Sequence, residues 1–412
     1  MADVIRHARA YSPWFIPNKG GSPSNLHGIT NLTIGASVAS NDVYVVGKSA
    51  KCGTDKAIPE ATVSITQLER GEIASYLMFA NLDAEPTGGL TEADFNSSLV
   101  DAVFYGRDKF SGTIEQSIWF PKMALSTMGI SIGDPEARIE RTFDLVGDNE
   151  YSLEYNNQVF IHKNDVAGSG VSGAYIIDLT SAGIPATDPN NSGEYMLRVD
   201  RTRSGVTETL VSGTDYTYNP TGEELTITNA LTGDEYNVYF SSDVFGVDGD
   251  PTSVDTADPC FIKADSVTVL LSDGNTEVEL DLLTSLSITT TFNRINESVV
   301  GNDERILKEV QNVSVAVALS GRVKDSTFAE AFMGKIGANW GITDIQKFLD
   351  NVRVTVKIYS DSTKATFLMG YQVDNLTFTS DSQAVTANDF GTLDVAASSD
   401  NIKITTTEGD LA

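Results

Sequence analysis

Three sets of residues in this 412-residue chain have types that could do chemistry: a glycine cluster, grouped carboxylates, and three histidines with two cysteines. Gly168-Ser-Gly170-Val-Ser-Gly173 spells the G-x-G-x-x-G of a dinucleotide loop. That chemistry needs a helix opening directly after the glycines, so that its N-terminal N–H groups hold a pyrophosphate. Ala174-Tyr-Ile-Ile-Asp-Leu179 follows instead and has strand character, so a loop is expected. Asp248, Asp250 and Asp255 suggest calcium by type, but the fixed ligand register, central Gly and closing Glu of an EF-hand are missing. An acidic linker is expected there. His7, His27 and His162 lie in separate regions with neither triad nor metal-ligand spacing. Cys52 and Cys260 make neither a disulfide framework nor a zinc site. Glu223-Glu224 is expected to be solvated in a turn. No catalytic, cofactor or metal residue is assigned, and the chain reads as non-enzymatic. An enzyme would have to assemble its catalytic groups from distant residues.

The elements that would position any site are strands. Val313, Val315, Val317 and Leu319 alternate with Ser314, Ala316, Ala318 and Ser320, Val352, Val354, Val356 and Ile358 alternate with Arg353, Thr355, Lys357 and Tyr359, and Tyr236, Val238 and Phe240 alternate similarly. Period-two alternation marks half-buried antiparallel strands. Short helices are expected over Arg70–Asn81, from Asp325 to Gly334, and over Asp344–Leu349. Stretches near Tyr155–Gln158 and over Phe245–Cys260 read as linkers. They divide the chain into domains 1–155, 156–259 and 260–412. The expected fold class is mainly β, with two related β-sandwich or barrel domains flanking a small β-sandwich. In the middle segment, Asn219-Pro-Thr-Gly222 and Thr232-Gly-Asp234 supply turns between strands, as in an immunoglobulin-like sandwich without the Cys…Trp…Cys signature.

Composition excludes several classes of function. The formal charge is −29, from 57 acidic and 28 basic residues. A wrapped nucleic acid or an anionic membrane is a poor partner for such a surface, since both require Lys and Arg. No apolar run is long enough to span a membrane, and the first residues lack a signal-peptide apolar region.

The outer segments repeat one order of features. Ile29–Ile34 aligns with Leu283–Ile288, and Val45-Val-Gly47 with Val299-Val-Gly301. A charged loop follows each, then an alternating strand, with Ala61, Val63 and Ile65 set on Val313, Val315 and Val317 after a two-residue adjustment. A bend comes next at Gly71 or Gly321, then a helix. More strand closes each copy, with Leu125, Met128 and Ile130 set on Val373, Leu376 and Phe378. The starts also look alike, Ala2–Ile5 and Ala264–Val267. The long loops Asn41–Pro59 and Arg294–Lys308 read as arms that dock onto a neighbouring subunit. Val46, Gly47, Lys51, Cys52, Asp55 and Lys56 in one, and Val300, Gly301, Asp303, Glu304 and Arg305 in the other, are the candidate contacts.

On Ile58–Thr66 with the helix from Arg70, and on Val310–Ala318 with the helix from Asp325, the outer segments resemble the tail tube (major tail) proteins of long-tailed bacteriophages. The resemblance implies a β-sandwich or barrel flanked by one helix, and a long loop reaching the adjacent ring. Some members fuse two tube domains, so that three chains form a pseudo-sixfold ring, and add an immunoglobulin-like domain. It further implies a virion structural protein, made in the bacterial host cytoplasm. Its partners would be its own copies, with double-stranded DNA and the tape-measure protein passing through the lumen, no membrane and no cofactor. Edge-to-edge closure would hide strand edges, and carboxylates would repel passing phosphate. Thr33 and Ser37 in one copy, and Thr289 and Thr291 in the other, are the candidate lumen residues. The alternative is a baseplate, decoration or receptor-binding β protein, which predicts an exposed aromatic patch and a closed oligomer.

Overall fold

The computed structural model describes residues 11–17, 24–26, 28–37, 40–43, 53–56, 60–96, 98–107, 114–134, 136–153, 159–179, 196–204, 206–219, 222–242, 261–272, 277–280, 283–295, 297–298, 305–307, 310–323, 352–384 and 391–411. Strands hold 68% of them and helical turns 7%, so the protein is mainly β. The N-terminal segment contains β1 (Tyr11–Pro17), β2 (Ser24–Asn25), β3 (Ile29–Ser37), β4 (Ser40–Val43), β5 (Gly53–Lys56), β6 (Glu60–Leu68), α1 (Ala74–Ala80), β7 (Leu90–Thr91), β8 (Leu99–Arg107), β9 (Ile114–Ile132), β10 (Glu140–Gly147) and β11 (Tyr151–Leu153). The middle segment contains β12 (Val159–Val166), β13 (Ser172–Asp178), β14 (Met196–Arg203), β15 (Val206–Thr209), β16 (Tyr216–Asn219), β17 (Glu224–Leu231) and β18 (Glu235–Ser242). The C-terminal segment contains β19 (Val267–Ser272), β20 (Glu277–Glu279), β21 (Leu283–Arg294), β22 (Glu297–Ser298), β23 (Arg305–Leu307), β24 (Val310–Val323), β25 (Val352–Tyr359), β26 (Phe367–Ala384), β27 (Gly391–Ser399) and β28 (Lys403–Thr405).

The antiparallel ladder of the N-terminal segment runs β3-β6-β10-β9-β8-β1-β2, with β11 also on β9. The C-terminal ladder runs β21-β24-β27-β26-β25-β19-β20, with β28 on β26. The two orders are the same, strand for strand. A shared irregularity fixes the alignment. The β9–β10 ladder skips Ser126, whose hydroxyl donates to the Asp144 carbonyl at 2.9 Å. The β26–β27 ladder skips Thr379, whose hydroxyl donates to the Ala396 carbonyl at 3.2 Å. A bulge of this kind leaves one residue unpaired and bends its strand.

This alignment corrects the sequence-based one in three places. Ile34 pairs with Val63 and Ile288 with Val317, so Val63 corresponds to Val317 and the two-residue adjustment falls away. Leu125 corresponds to Phe378 and Met128 to Asp381; similar apolar alternation five residues away had suggested Leu376. Gly321 is no bend: it lies inside β24, paired with Leu283 and Leu393, whereas Gly71, at φ 75°, does turn the chain.

The helix α1 is shorter than expected. The Glu69 carboxylate takes the N–H groups of Arg70 (2.9 Å) and Gly71 (2.7 Å), which holds that stretch outside the helix. Asn81, left-handed at φ 57°, ends it. The expected helices from Asp325 and over Asp344–Leu349, both linker stretches, the Asp248–Asp255 cluster and the start at Ala2–Ile5 lie outside the described residues.

Alternation explains where the core sits. Along β6, Ala61, Val63 and Ile65 are buried while Glu60, Thr62 and Ser64 are exposed. The apolar parity of both outer segments feeds one core, which also takes Tyr76 and Phe79 of α1, Phe143 of β10, and Val354 and Tyr371 of the C-terminal segment. The middle segment forms two sheets, β12-β18-β14-β15 and β13-β17-β16. Between them lie Ile177, Val199, Leu225, Ile227 and Val238, in a cluster that also includes Val103 and Trp119 of the N-terminal segment.

Candidate assembly interface

One ladder joins the two repeated sheets within the chain. Residues 127–132 of β9 pair with residues 286–291 of β21, placing Ile130 opposite Ile288 and Met128 opposite Thr290. All four side chains are buried. A second, short contact pairs β7 with β28. Arg294, at the end of β21, reaches across this seam. Its guanidinium donates to the carbonyls of Leu125 (2.9 Å), Asn96 (3.0 Å) and Phe95 (2.9 Å). Burial lowers its pKa to about 10. Phe95 and Phe292 meet at 5.7 Å beside it.

A buried polar group ties α1 to the C-terminal segment. The Tyr371 hydroxyl donates to the Glu69 carboxylate at 3.0 Å and lies 3.0 Å from the Tyr76 hydroxyl. Arg141 stands 3.2 Å from the same carboxylate and donates to the Glu72 carbonyl at 2.8 Å. Burial pushes the Tyr76 hydroxyl up to about 12, and burial with the charge of Glu69 raises Tyr371 well above its ordinary value. Burial pulls the Arg141 guanidinium down, and Glu69 more than offsets it, so the net shift is upward. Such a group stays charged and hydrogen-bonded, because an unpaired buried charge costs more than the pair.

The joined sheets present one face to solvent that is built mostly of serine, threonine and alanine. Thr33, Thr62, Ser64, Ser131, Ser287, Thr289, Ser314, Ala316, Ala318 and Ser398 lie on this face. Among its described residues the charged ones are Glu60, Glu140, Asp144, Asp394 and Arg322. Asp144 accepts a hydrogen bond from Ser64. All four candidate lumen residues share this parity: Thr33, Ser37 and Thr289 are exposed and Thr291 is half-buried.

Each expected arm contains a two-stranded ribbon. β4 pairs with β5, which carries Asp55 and Lys56, and β22 pairs with β23, which begins at Arg305. Val46, Gly47, Lys51, Cys52, Val300, Gly301, Asp303 and Glu304 lie outside the described residues, as do Cys260, His7 and His27. His162 belongs to β12, and the strand β13 begins inside the glycine cluster, at Ser172, and includes Gly173. Among the described residues no cluster of three or more His, Cys, Asp or Glu could hold a metal, and no helix is long and apolar enough to cross a membrane.

A second interior junction holds the middle segment against the N-terminal one. Arg198 of β14 pairs with Asp101 of β8, and its Nε lies 2.7 Å from Asp200. The guanidinium sits 4.1 Å over the Tyr239 ring and 5.1 Å from that of Trp119. Trp119 stacks on Tyr239 at 5.4 Å and on Tyr151 at 5.2 Å. Burial raises Asp200, with Arg198 opposing it.

Sequence reasoning missed both buried charge groups. A usable signal was present: Arg141 shares the apolar parity of Phe143 and Leu145, and Asp101 interrupts Leu99-Val-Asp-Ala-Val-Phe104. A charge at an inward position needs a partner from elsewhere in the chain.

No family model matches the chain, and no curated protein matches it. Solved structures similar to it include the tube-terminating cap of the anti-feeding prophage, 16% identical with a TM-score of 0.27, covering 38% of this chain and 96% of the other. Another is the PVC sheath–tube complex of an extracellular contractile injection system in its extended state. It is 16% identical with a TM-score of 0.27, covering 37% and 95%. A third is the anti-feeding prophage baseplate, 8% identical with a TM-score of 0.26, covering 37% and 97%. At this level of similarity they decide neither fold nor family.

Proposed function

We propose that the chain is a structural subunit of a phage tail tube, which closes into rings and stacks into a hollow conduit for DNA. The observation that carries this reading is one ladder order built twice and fused edge to edge by the β9–β21 seam. A chain that already joins two copies of a sheet through unlike edges is prepared for heterologous, ring-forming association. Three chains would then supply six sheets. The small polar face with its four carboxylates supports a lumen that DNA slides past, since carboxylates repel phosphate. The arms would reach the next ring, and the middle sandwich would sit outside the tube. In this reading the protein catalyses nothing and its partners are its own copies, with DNA and the tape-measure protein held loosely inside.

The test is negative-stain electron microscopy of the purified protein at high concentration. Hollow rings or stacked tubes with threefold or pseudo-sixfold end views are expected. Discrete particles without a channel at every concentration would overturn the proposal.

A further inference from the structure

Among the described residues, the internal seam leaves two edges without their counterparts. β9 lies between β10 and β21 along residues 127–132. Its equivalent, β26, pairs with β27 over residues 377–384, and among the described residues no strand lies on the other edge there. Likewise β21 lies between β24 and β9, whereas among the described residues β3 pairs with β6 alone. The side chains record the difference. Leu286 and Ile288 of β21 are each 1% exposed, while Leu32 and Ile34 at the equivalent positions of β3 are only half-buried.

We infer that β3 of one chain pairs antiparallel with residues 380–384 of β26 of a second copy, in the register of the internal seam. The occupant of both edges is thus another molecule of the same chain, and this inference rests on the ring-forming reading above. The bulges at Ser126 and Thr379 align β9 on β26, and the ladders align β3 on β21. Carrying the β9–β21 register across sets Ile34 opposite Gln383 and Gly35 opposite Ser382. The two edges differ from one another, so the contact is head-to-tail and repeats until a ring closes. It also satisfies a row of backbone N–H and C=O groups that an open edge leaves as a template for aggregation.

The seam between chains differs in chemistry from the internal one. Asp381 and Gln383 stand at the positions of Met128 and Ile130, so less apolar surface is available to bury. Chains should therefore separate under conditions that leave the internal seam closed.

The test uses full-length chains with Cys52 and Cys260 replaced by serine and one thiol on each edge. One carries Ile34→Cys with Gln383→Cys, another Gly35→Cys with Ser382→Cys. Hydrogen-bonded and closer non-bonded pairs alternate along an antiparallel ladder, so one of these two is the close kind that a disulfide can span. Mild oxidation of the assembled protein should convert the monomer band into covalent dimers and higher multimers for at least one pair. A register-shifted control, Ile34→Cys with Ser380→Cys, should stay monomeric. Hydrogen exchange of the unmodified protein supplies a second measurement, independent of any variant. Amides of residues 33–37 and 380–384 should exchange more slowly in the assembled form than in the dilute chain. Rings or tubes with neither cross-link and with unchanged exchange at both edges would overturn this pairing and leave the ring reading standing. Failure to assemble at any concentration would overturn both.

Discussion

Arg198 shows how much can rest on one side chain. It is the cation between Asp101 and Asp200, and both carboxylates are buried with it. Arg198→Ala leaves two buried carboxylates without that charge, and the expected loss is about 3–5 kcal/mol, read by urea denaturation at pH 7. The deficit should shrink at pH 4, because Asp200, raised by burial and no longer opposed by Arg198, takes up a proton more readily and escapes the buried charge. An equal deficit at both pH values would assign the loss to packing against Trp119 and Tyr239 instead. Asp234 makes the complementary case. Hydrogen bonds from Arg203, foremost, and from the Leu231 N–H and the Tyr236 hydroxyl lower its pKa to about 2. A lowered folded pKa stabilises the fold above the unfolded value of 3.8, and that contribution fades as pH falls through about 2. Asp234→Asn should therefore cost about 2 kcal/mol at neutral pH and flatten the acid side of the stability curve between pH 4 and 2. Differential scanning fluorimetry across that range would read the change.

At the scale of elements, the two copies of one edge should respond differently to the same substitution. Ile288 is buried in the internal seam, so Ile288→Lys places an ammonium in the core and should cost about 3 kcal/mol or more. Ile34 occupies the same place on the open edge, where a lysine can reach water and charge the strand. Ile34 packs against the core only in part, so Ile34→Lys should lower the thermal midpoint clearly less than Ile288→Lys while abolishing rings in sedimentation velocity; equal destabilisation by both would show that the two edges are packed alike. How much of this was legible in the sequence follows from the physics. The strands were, because burying one face imposes period-two alternation, as in Ala61, Val63 and Ile65. The matching of β3 with β21 was legible too, since both begin as an apolar-Thr/Ser run ending in isoleucine. The alignment of β9 on β26 was not, because period-two patterns look alike at many offsets and the bulge at Thr379 leaves no mark in composition. The start of α1 was missed for a local reason: the Glu69 side chain competes for the backbone N–H groups that a helix would use. The buried groups around Arg141 and Arg198 join residues too distant in sequence for any spacing rule. Of the candidate contacts, only Asp55, Lys56 and Arg305 lie among the described residues, each in a short ribbon that no spacing in the sequence marked, and the polar lumen candidates share a single sheet face.

At the scale of the whole molecule, the charge of −29 acquires a location. On the small-residue face of the joined sheets, among the described residues, Glu60, Glu140, Asp144 and Asp394 stand against Arg322 alone. A wall of hydroxyl and methyl groups offers phosphate only neutral, exchangeable hydrogen bonds in place of ion pairs, and the carboxylates keep the anion at a distance. If this face lines a conduit, its sign decides whether DNA passes or sticks. The assembled protein should show no retention of double-stranded DNA at low salt. A variant carrying Glu60→Lys, Asp144→Lys and Asp394→Lys changes the charge of this face by six units per chain and supplies three ammonium groups. Each lysine that neutralises a phosphate adds about 0.9 to the slope of log affinity against log salt, so retention by the variant should fall steeply as salt rises. The same three changes on a face pointing away from DNA would still produce binding, but to the outside of the particle. Fluorescence quenching of intercalated dye by a soluble quencher separates the two: DNA held in the lumen is shielded, and DNA on the surface is not. Shielded, salt-sensitive DNA would place this face inside the tube, and freely quenched DNA would put it outside and move the lumen to another surface.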